Sequence, residues 1–176
     1  MTIRILLLVL FIVGLADLRA QSRIDTSRSE IIFDVSNLAL RTVTGRMGGM
    51  TGTVRFDTER PGAAVMDVCV DARSVRTGND KRDAHLLEED FFHTEEYPLL
   101  CFEADTVRRV ADGFEATGRL TMRGVTRTVT IPFTREGEVL TGSVRVDRMD
   151  YDIGTSYRKF TVGHIIDVRI RCVLLN

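Results

Sequence analysis

The segment 74–102 reads SVRTGNDKRDAHLLEEDFFHTEEYPLLCF, and it is the part of the chain where strand-like alternation gives way to a helical pattern. Asn79 or Asp80 can cap a helix that begins near Lys81. Apolar side chains then recur at helical spacing up to Phe92, with charged side chains opposite them. The Tyr–Pro pair that follows returns the backbone to extended geometry. The segment therefore predicts one short amphipathic helix between two strands.

Outside this segment, alternating apolar and polar residues predict eight short strands joined by turns. The predicted strands cover 29–38, 41–57, 66–73, 100–106, 114–120, 125–133, 140–146 and 160–174, the last beginning near Phe160. Glycines between 45 and 52 predict a bend in the second strand. Such strands form an all-β antiparallel barrel or sandwich, with the helix between strands 3 and 4. A barrel of about eight strands holds either its own side chains or one small ligand.

The first 20 residues form an apolar leader. One basic residue, Arg4, precedes an apolar run that begins at Ile5, and Ala20 stands before Gln21. The run is shorter than the ~20 apolar residues that a membrane-spanning helix needs. We predict a cleaved secretory signal peptide at 1–20 and a single domain at 21–176. An uncleaved anchor or a buried strand is the alternative.

The charges of the chain are nearly balanced. Removing 1–20 takes two of the 24 basic residues and one of the 25 acidic ones, which leaves 22 against 24 and a net charge of −2. The charges are interspersed along the strands rather than gathered in blocks. This distribution argues against a nucleic-acid partner, which would call for a basic face.

His85 is the residue around which chemistry could be built. Glu89 follows it at the i+4 spacing of a helical metal site. No nucleophile motif accompanies His85, as acid–base catalysis would require. We therefore predict no metal and no catalysis, and we expect Arg82, Asp83 and His85 to form a hydrogen-bonded cluster that pins the helix to the barrel. A hydrolase or metalloenzyme that uses His85 with Asp83 or Glu89 is the alternative.

Three cysteines are present. Cys69 and Cys101 occupy the same phase of the two strands that flank the helical segment, so they could form a disulfide if those strands are neighbours. Cys172 shares its phase with apolar residues and is predicted to be a small buried hydrophobe. The chain contains no Cys-x-x-Cys motif, which argues against thiol redox catalysis.

The inward phase of the strands is almost entirely apolar. It comprises Phe33, Val35, Val54, Phe56, Val68, Val70, Phe102, Leu120, Val129, Ile131, Phe133 and Val144. These residues form either a packed core or a tunnel for a long apolar chain, whose burial contributes ~0.8 kcal/mol per CH2. In the tunnel interpretation, one mouth is covered by Leu86, Leu87, Phe91 and Phe92. Arg76 or Arg82 would then meet the polar or phosphate head of the ligand.

Several short motifs carry a family resemblance. They are Ser74-Val75, Thr77-Gly78, Arg82-Asp83, His85-Leu86, Asp90-Phe91-Phe92, Tyr97-Pro98 with Phe102, Gly124-Val125-Thr126, Asp147-Arg148 and Asp150-Tyr151. Together they resemble the signature of the YceI-like family of lipocalin-like periplasmic proteins, from about Ser22 to the end of the chain. The resemblance implies a barrel around a long apolar cavity and, in some members, a bound polyisoprenoid. It implies no catalysis.

The sequence and the resemblance together predict an exported, periplasmic or secreted barrel. We expect it to hold a long amphipathic, isoprenoid-like lipid without chemistry or cofactor, and without stable membrane insertion once the signal is removed. A homodimer is left open. One departure from the family is the tight hairpin between Phe133 and Leu140, where many relatives have a longer, tryptophan-bearing excursion. It implies a shallower pocket or a filled interior, so a packed-core, stress-related interaction module is a further alternative.

Overall fold

The computed structural model describes residues 22–38, 41–158 and 161–175. The predicted signal peptide at 1–20 and the predicted strand start at Phe160 lie outside these ranges. Inside them, no helix has the length and apolar character needed to cross a bilayer.

The described ranges contain ten strands and one α-helix. In chain order they are β1 (Ser22–Ile24), β2 (Glu30–Asn37), β3 (Arg41–Met47), β4 (Thr51–Arg55), β5 (Val65–Asp71), α1 (Asp80–Leu86), β6 (Leu99–Val110), β7 (Gly113–Met122), β8 (Val125–Glu136), β9 (Val139–Asp147) and β10 (Val162–Leu175). Single 3-10 turns cover Pro61–Ala63, Ala72–Ser74 and Arg148–Tyr151.

The strands close into one antiparallel barrel. Consecutive strands pair from β4 through to β10, and β1 pairs with both β4 and β10 to close the ring. β2 pairs with β10, and β3 pairs with β2. β1 and β2 therefore act as one long strand that is interrupted once, and β3 and β4 act as another. Over the described residues the barrel therefore has eight strands, which confirms the predicted fold, with α1 between the third and the fourth.

The second barrel strand bends at the glycines, as the sequence indicates. β3 ends at Met47 and β4 begins at Thr51, and Gly49 between them adopts a φ of 67°. Ser74 Oγ compensates for the break, because it accepts a hydrogen bond of 2.9 Å from Gly48 N. The backbone groups that leave the ladder at the bend are thus partnered by a side chain.

The helix begins where predicted but is shorter. Asn79 caps it by accepting a hydrogen bond of 3.0 Å from Arg82 N, and it ends at Leu86 rather than at Phe92. The chain continues in tight turns, in which Phe92 N bonds Leu86 O at 3.1 Å. These turns place the rings of both Phe91 and Phe92 on the wall of the barrel interior.

Three aromatic rings fill the end of the barrel opposite α1, which we call the closed end. The ring centroids of Phe56 lie 4.8 Å from Phe114 and 5.1 Å from Phe133. The guanidinium of Arg109 lies over the Phe114 ring, and that of Arg135 lies over the Phe56 ring. The end that carries α1, which we call the helix end, is instead covered by long connections.

Candidate ligand-binding cavity

A cavity of about 250 Å³ occupies the barrel interior, and we call it the main cavity. Its wall is formed by Ile31, Phe33, Val35, Met47, Met50, Val54, Met66, Val68, Val70, Leu86, Phe91, Phe92, Leu100, Phe102, Ala116, Leu120, Met122, Ile131, Phe133, Leu140, Gly142, Val144, Val146, Arg148, Ile153, Val162, Ile166, Val168, Ile170 and Cys172. Among these described residues Arg148 alone has a charged side chain. The short Phe133–Leu140 hairpin therefore does not leave the interior filled.

Most of the apolar residues singled out from the sequence lie on this wall. Those that line it are Phe33, Val35, Val54, Val68, Val70, Leu86, Phe91, Phe92, Phe102, Leu120, Ile131, Phe133 and Val144. Three do not line it. Phe56 belongs to the closed end, Leu87 follows α1 and packs, half-buried, against the core, and Val129 lies on β8 away from the wall. Whether the lining residues hold a ligand stays a prediction.

Other lining residues were missed by the sequence analysis. Ile31 and Val146 follow the same alternation as their neighbours, so the strand pattern could have found them. Met47, Met122 and Ile153 lie where strands end or bend, and no simple period identifies their direction. A glycine also shapes the wall: a Cβ on Gly45 would lie 2.1 Å from the Phe33 ring, so this ring occupies its position because residue 45 has no side chain.

The segment that carries α1 is attached to the barrel through Thr77. The Asp83 carboxylate, which is buried, accepts hydrogen bonds from Thr77 N at 2.9 Å and from the Thr77 hydroxyl. Arg82 Nε donates to the same hydroxyl at 2.7 Å, and Arg82 Nη2 donates to Thr77 O at 2.9 Å. Arg76 pairs its backbone with Arg46, and its guanidinium donates to backbone carbonyls. Thr77, which the sequence analysis did not assign, is the centre of this attachment.

His85 does not join this cluster, which corrects the expected arrangement. Its Nε2 lies 3.0 Å from Asp90 Oδ2 and 3.3 Å from the Tyr157 hydroxyl, which itself donates to Asp90 Oδ2 at 3.2 Å. Burial, and then the carboxylate of Asp90, raise the pKa of Tyr157. His85 and Asp83 lie two residues apart on α1, and residues at that spacing do not face each other on a helix. The polar trio His85, Asp90 and Tyr157 therefore links the α1 segment to the connection between β9 and β10.

Arg148 organises that connection from within. It is 3% exposed, and its five N–H donors are all used by backbone carbonyls. Nε bonds Gly163 O, Nη1 bonds Ile153 O and Gly154 O, and Nη2 bonds Tyr157 O and Val162 O, at 2.5 to 3.0 Å. Burial lowers the pKa of Arg148, and the opposing charge of Asp147 partly offsets this. Arg148 borders the cavity, but all of its donors are used by backbone carbonyls, so it holds the connection in place and has no donor left for a ligand.

A second, smaller pocket of about 90 Å³ opens at the helix end, and we call it the mouth pocket. It is lined by Phe33, Val35, Ser36, Asn37, Val43, Thr77, Arg82, His85, Leu86, Phe91 and Val162. Five of these residues also line the main cavity, so the two spaces are separated by side chains. Two of the residues expected at a polar head, Arg82 and His85, lie here, whereas Arg76 and Asp83 do not.

The residues proposed for the alternative chemistry do not converge. The Asp83 carboxylate bonds Thr77, and His85 pairs with Asp90. Over the described part of the chain, no three histidine, cysteine or acidic side chains are grouped so that they could hold a metal ion.

The structure joins Cys69 and Cys101 in a disulfide. The two residues are directly opposite each other on β5 and β6, with their Sγ atoms 2.10 Å apart. The bond links the two strands from which the α1 segment departs and to which it returns. Cys172 is free and buried on the cavity wall, and burial raises the pKa of its thiol to about 11.

A closed eight-stranded barrel with an apolar interior and a helical cover is a lipocalin-like architecture. The profile of the YceI-like domain matches residues 23–174, and the chain therefore belongs to the YceI-like family. Protein YceI of Escherichia coli is 34% identical over 99 residues, which are 56% of this chain and 52% of that protein. A UPF0312 protein of Pseudomonas aeruginosa is 35% identical over 101 residues, 57% of this chain and 53% of that protein. The chain spans about half the length of the curated relatives it matches.

Solved structures share the fold. BcnA of Burkholderia cenocepacia superposes with a TM-score of 0.78 at 22% identity, over 85% of this chain and 98% of that chain. A polyisoprenoid-binding domain of Saccharophagus degradans, implicated in plant cell wall breakdown, superposes with a TM-score of 0.67 at 16% identity, over 88% of this chain and 97% of that chain. At these identities the likeness establishes the architecture alone.

Proposed function

We propose that this protein is an exported, non-catalytic carrier that holds a long amphipathic lipid, isoprenoid-like in character, inside its barrel. The observation that supports this most directly is the main cavity, whose wall is apolar from the closed end to the helix end. Each CH2 group moved from water into such a space contributes ~0.8 kcal/mol, so a long chain can be held tightly without any polar contact. The Saccharophagus domain of the same fold is described as polyisoprenoid-binding, which favours this class of ligand.

The distribution of polar groups gives the ligand a direction. Arg82, His85 and Asn37 line the mouth pocket, while three aromatic rings fill the closed end. An amphipathic lipid would therefore bind with its tail toward the closed end and its polar head toward Arg82 and His85. A guanidinium and an imidazole can both meet a hydroxyl, carbonyl or phosphate oxygen.

Export is part of the proposal. It rests on the apolar leader at 1–20 and on the Cys69–Cys101 disulfide, since disulfides persist in oxidising compartments such as the periplasm. The mature protein should begin at Gln21, and its intact mass tests this directly. The same measurement reports whether it is a monomer or the homodimer that the sequence analysis leaves open.

The test of lipid binding is native mass spectrometry of the protein purified from its own cells without detergent, followed by organic extraction. We expect a stoichiometric apolar molecule, released by solvent. The variant Val144→Trp places an indole in the cavity, and we expect it to reduce occupancy at least about tenfold, because the ring displaces several ligand methylenes worth ~0.8 kcal/mol each.

Ser143→Trp is the matched control, because residue 143 is the exposed neighbour on the same strand. It should retain the bound lipid. A wild-type protein of bare polypeptide mass, which also fails to take up added isoprenoid alcohols, would overturn the proposal in favour of a packed-core interaction module.

A further inference from the structure

Among the described residues, the helix end is enclosed by four pieces of chain. They are α1 with the turns that follow it (80–94), the β7–β8 turn (123–124), the β9–β10 connection (148–158), and the adjoining ends of β2 and β3. The closed end is filled by the rings of Phe56, Phe114 and Phe133, so a ligand must cross one of the lines where the pieces at the helix end meet. The line between the turns after α1 and the β7–β8 turn is held by Arg123 Nη2, which donates to Glu89 O at 2.9 Å. Two further lines border α1, one with the β9–β10 connection and one with β2 and β3.

The line between α1 and the β9–β10 connection is held closed by hydrogen bonds and by ring packing. Asp90 Oδ2 contacts both His85 and Tyr157, and Gly154 N donates to Asp90 O at 2.7 Å. The Phe91 ring lies 5.1 Å from the Tyr157 ring. The connection itself is held by all five donors of Arg148. Opening this line would break the hydrogen bonds that Gly154 N and the Tyr157 hydroxyl make with Asp90 and His85, and each lost bond costs free energy.

The line between α1 and the ends of β2 and β3 differs. Among the described residues, backbone hydrogen bonds join β3 to the α1 side at Arg46 and Arg76, and Ser74 bonds Gly48 nearby. The mouth pocket lies farther along the same line, between Asn37 and Val43 on one side and Thr77, Arg82 and Leu86 on the other. Here the two pieces face each other across a space of about 90 Å³.

The mouth pocket adjoins the main cavity. Leu86, Phe91 and Val162, together with Phe33 and Val35 of β2, line both spaces. Side chains change rotamer in far less time than hydrogen-bonded backbone opens. A passage at this line therefore requires no backbone hydrogen bond to break.

We propose that the mouth pocket is the portal through which the lipid enters and leaves, with Leu86, Phe91 and Val162 as the gate. The assignment rests on the proposed lipid-binding function and adds the route. It also makes Val43 a residue that controls exchange, because Val43 lines the mouth pocket without lining the main cavity. A residue at a portal changes the barrier between the free and bound states more than it changes either state.

Stopped-flow binding of cis-parinaric acid, a fluorescent polyene fatty acid, to the mature disulfide-bonded protein tests the portal. Val43→Trp should lower the association and dissociation rate constants together by about tenfold, since overpacking at a tight position obstructs rearrangement. Their ratio, the Kd, should change far less. Val43→Ala, which enlarges the same opening, should raise both rate constants. Thr42→Trp and Thr42→Ala are the controls, because Thr42 is the exposed neighbour on β3.

The line between α1 and the β9–β10 connection is tested with Tyr157→Phe, which removes the hydroxyl from the polar trio and keeps the ring. Tyr97→Phe is its control, since the Tyr97 hydroxyl also bonds a carboxylate, that of Glu96, away from the trio. Under the proposal neither variant accelerates exchange. If Tyr157→Phe accelerates exchange while the Val43 variants match their controls, the portal is overturned. If the wild type binds neither this probe nor an isoprenoid alcohol, the lipid-binding proposal itself fails.

Discussion

The two ends of the barrel are built by different means. At the closed end three aromatic rings pack against one another, two pairs edge to face and one pair stacked, with guanidinium groups above two of the rings. At the helix end two long connections are held by polar contacts. Asp83 with Thr77 and Arg148 with backbone carbonyls order each connection, and Asp90 and His85 with Tyr157 join the two. Close apolar packing stabilises one arrangement and resists rearrangement. The polar contacts of the helix end hold its connections together and leave the mouth pocket between α1 and the ends of β2 and β3.

The two ends therefore have different roles. The closed end buries apolar area and so contributes to the stability of the fold. The helix end is held together by polar contacts and contains the mouth pocket, which gives access to the barrel interior. A barrel that must retain an apolar ligand and also release it benefits from this division. Three substitutions measure how far the two ends are independent of each other.

Phe56→Ala should cost the most stability. Phe56 is 8% exposed and contacts both other rings of the closed end, so its truncation should lower the free energy of unfolding by about 4 kcal/mol. Phe92→Ala is the matched change at the helix end, where the ring is half-buried and faces the cavity. It should cost clearly less, because the ring already borders empty space. Urea denaturation measures both, and equal losses would contradict the division between the two ends.

Arg148→Met should destabilise the helix end in particular. The change leaves five backbone carbonyls without their donor, and we expect a loss of about 3 kcal/mol in the free energy of unfolding. Arg145→Met is the control, because Arg145 forms an exposed ion pair with Asp167 on the outer face of β9, and such pairs contribute at most about 1 kcal/mol.

Hydrogen exchange of residues 152–158 locates the effect of Arg148→Met. Exchange should accelerate there while the amides of the closed end stay protected. Uniform acceleration over the barrel would show that Arg148 stabilises the whole fold and that the two ends are not separable.

The smallest expected change in the free energy of unfolding comes from the Cys172 thiol, and this change depends on pH. Burial raises the pKa of its thiol from 9.0 to about 11 in the folded protein. The folded state therefore binds more protons than the unfolded state between these values. The resulting contribution to stability is full below pH 9.0 and is lost as the pH rises through about 11.

Cys172→Val keeps the volume and removes the titration. The wild type should lose about 2 kcal/mol more than this variant between pH 8.5 and pH 11, since each unit of pKa shift corresponds to about 1.36 kcal/mol. Denaturation curves at matched pH values give the difference, in which the titrations of tyrosine and lysine cancel. Parallel pH profiles for the two proteins would place the thiol in contact with water rather than on a dry cavity wall.

The strand pattern predicted the barrel well because its signal is local. Alternation at Phe33 and Val35, or at Val68 and Val70, needs only two neighbours to be recognised, and tight turns such as Arg123-Gly124 are marked by the residues they contain. The helix start at Asn79 was equally local. The C-terminus of α1 was not local, because the apolar pattern continues to Phe92 whereas α1 gives way to tight turns after Leu86.

The polar contacts of the helix end were beyond the sequence pattern. His85 was placed with Asp83, its neighbour in sequence, whereas it contacts Asp90 and Tyr157, the latter 72 residues away. Arg148 gave no sequence signal that its donors would be spent on the carbonyls of the following connection. The contacts of His85 and Arg148 depend on how segments that are distant in sequence pack together in the fold.

The all-β class, the eight strands, the position of the helix and most of the apolar lining follow from the sequence, because each of these depends on residue spacing along one strand or turn. Only the folded chain shows the size of the cavity, the position of Phe56 at one end, and the polar trio and the mouth pocket on opposite sides of α1. These features depend on how much volume eight inward faces leave between them and on which distant segments meet, and no local pattern records either quantity.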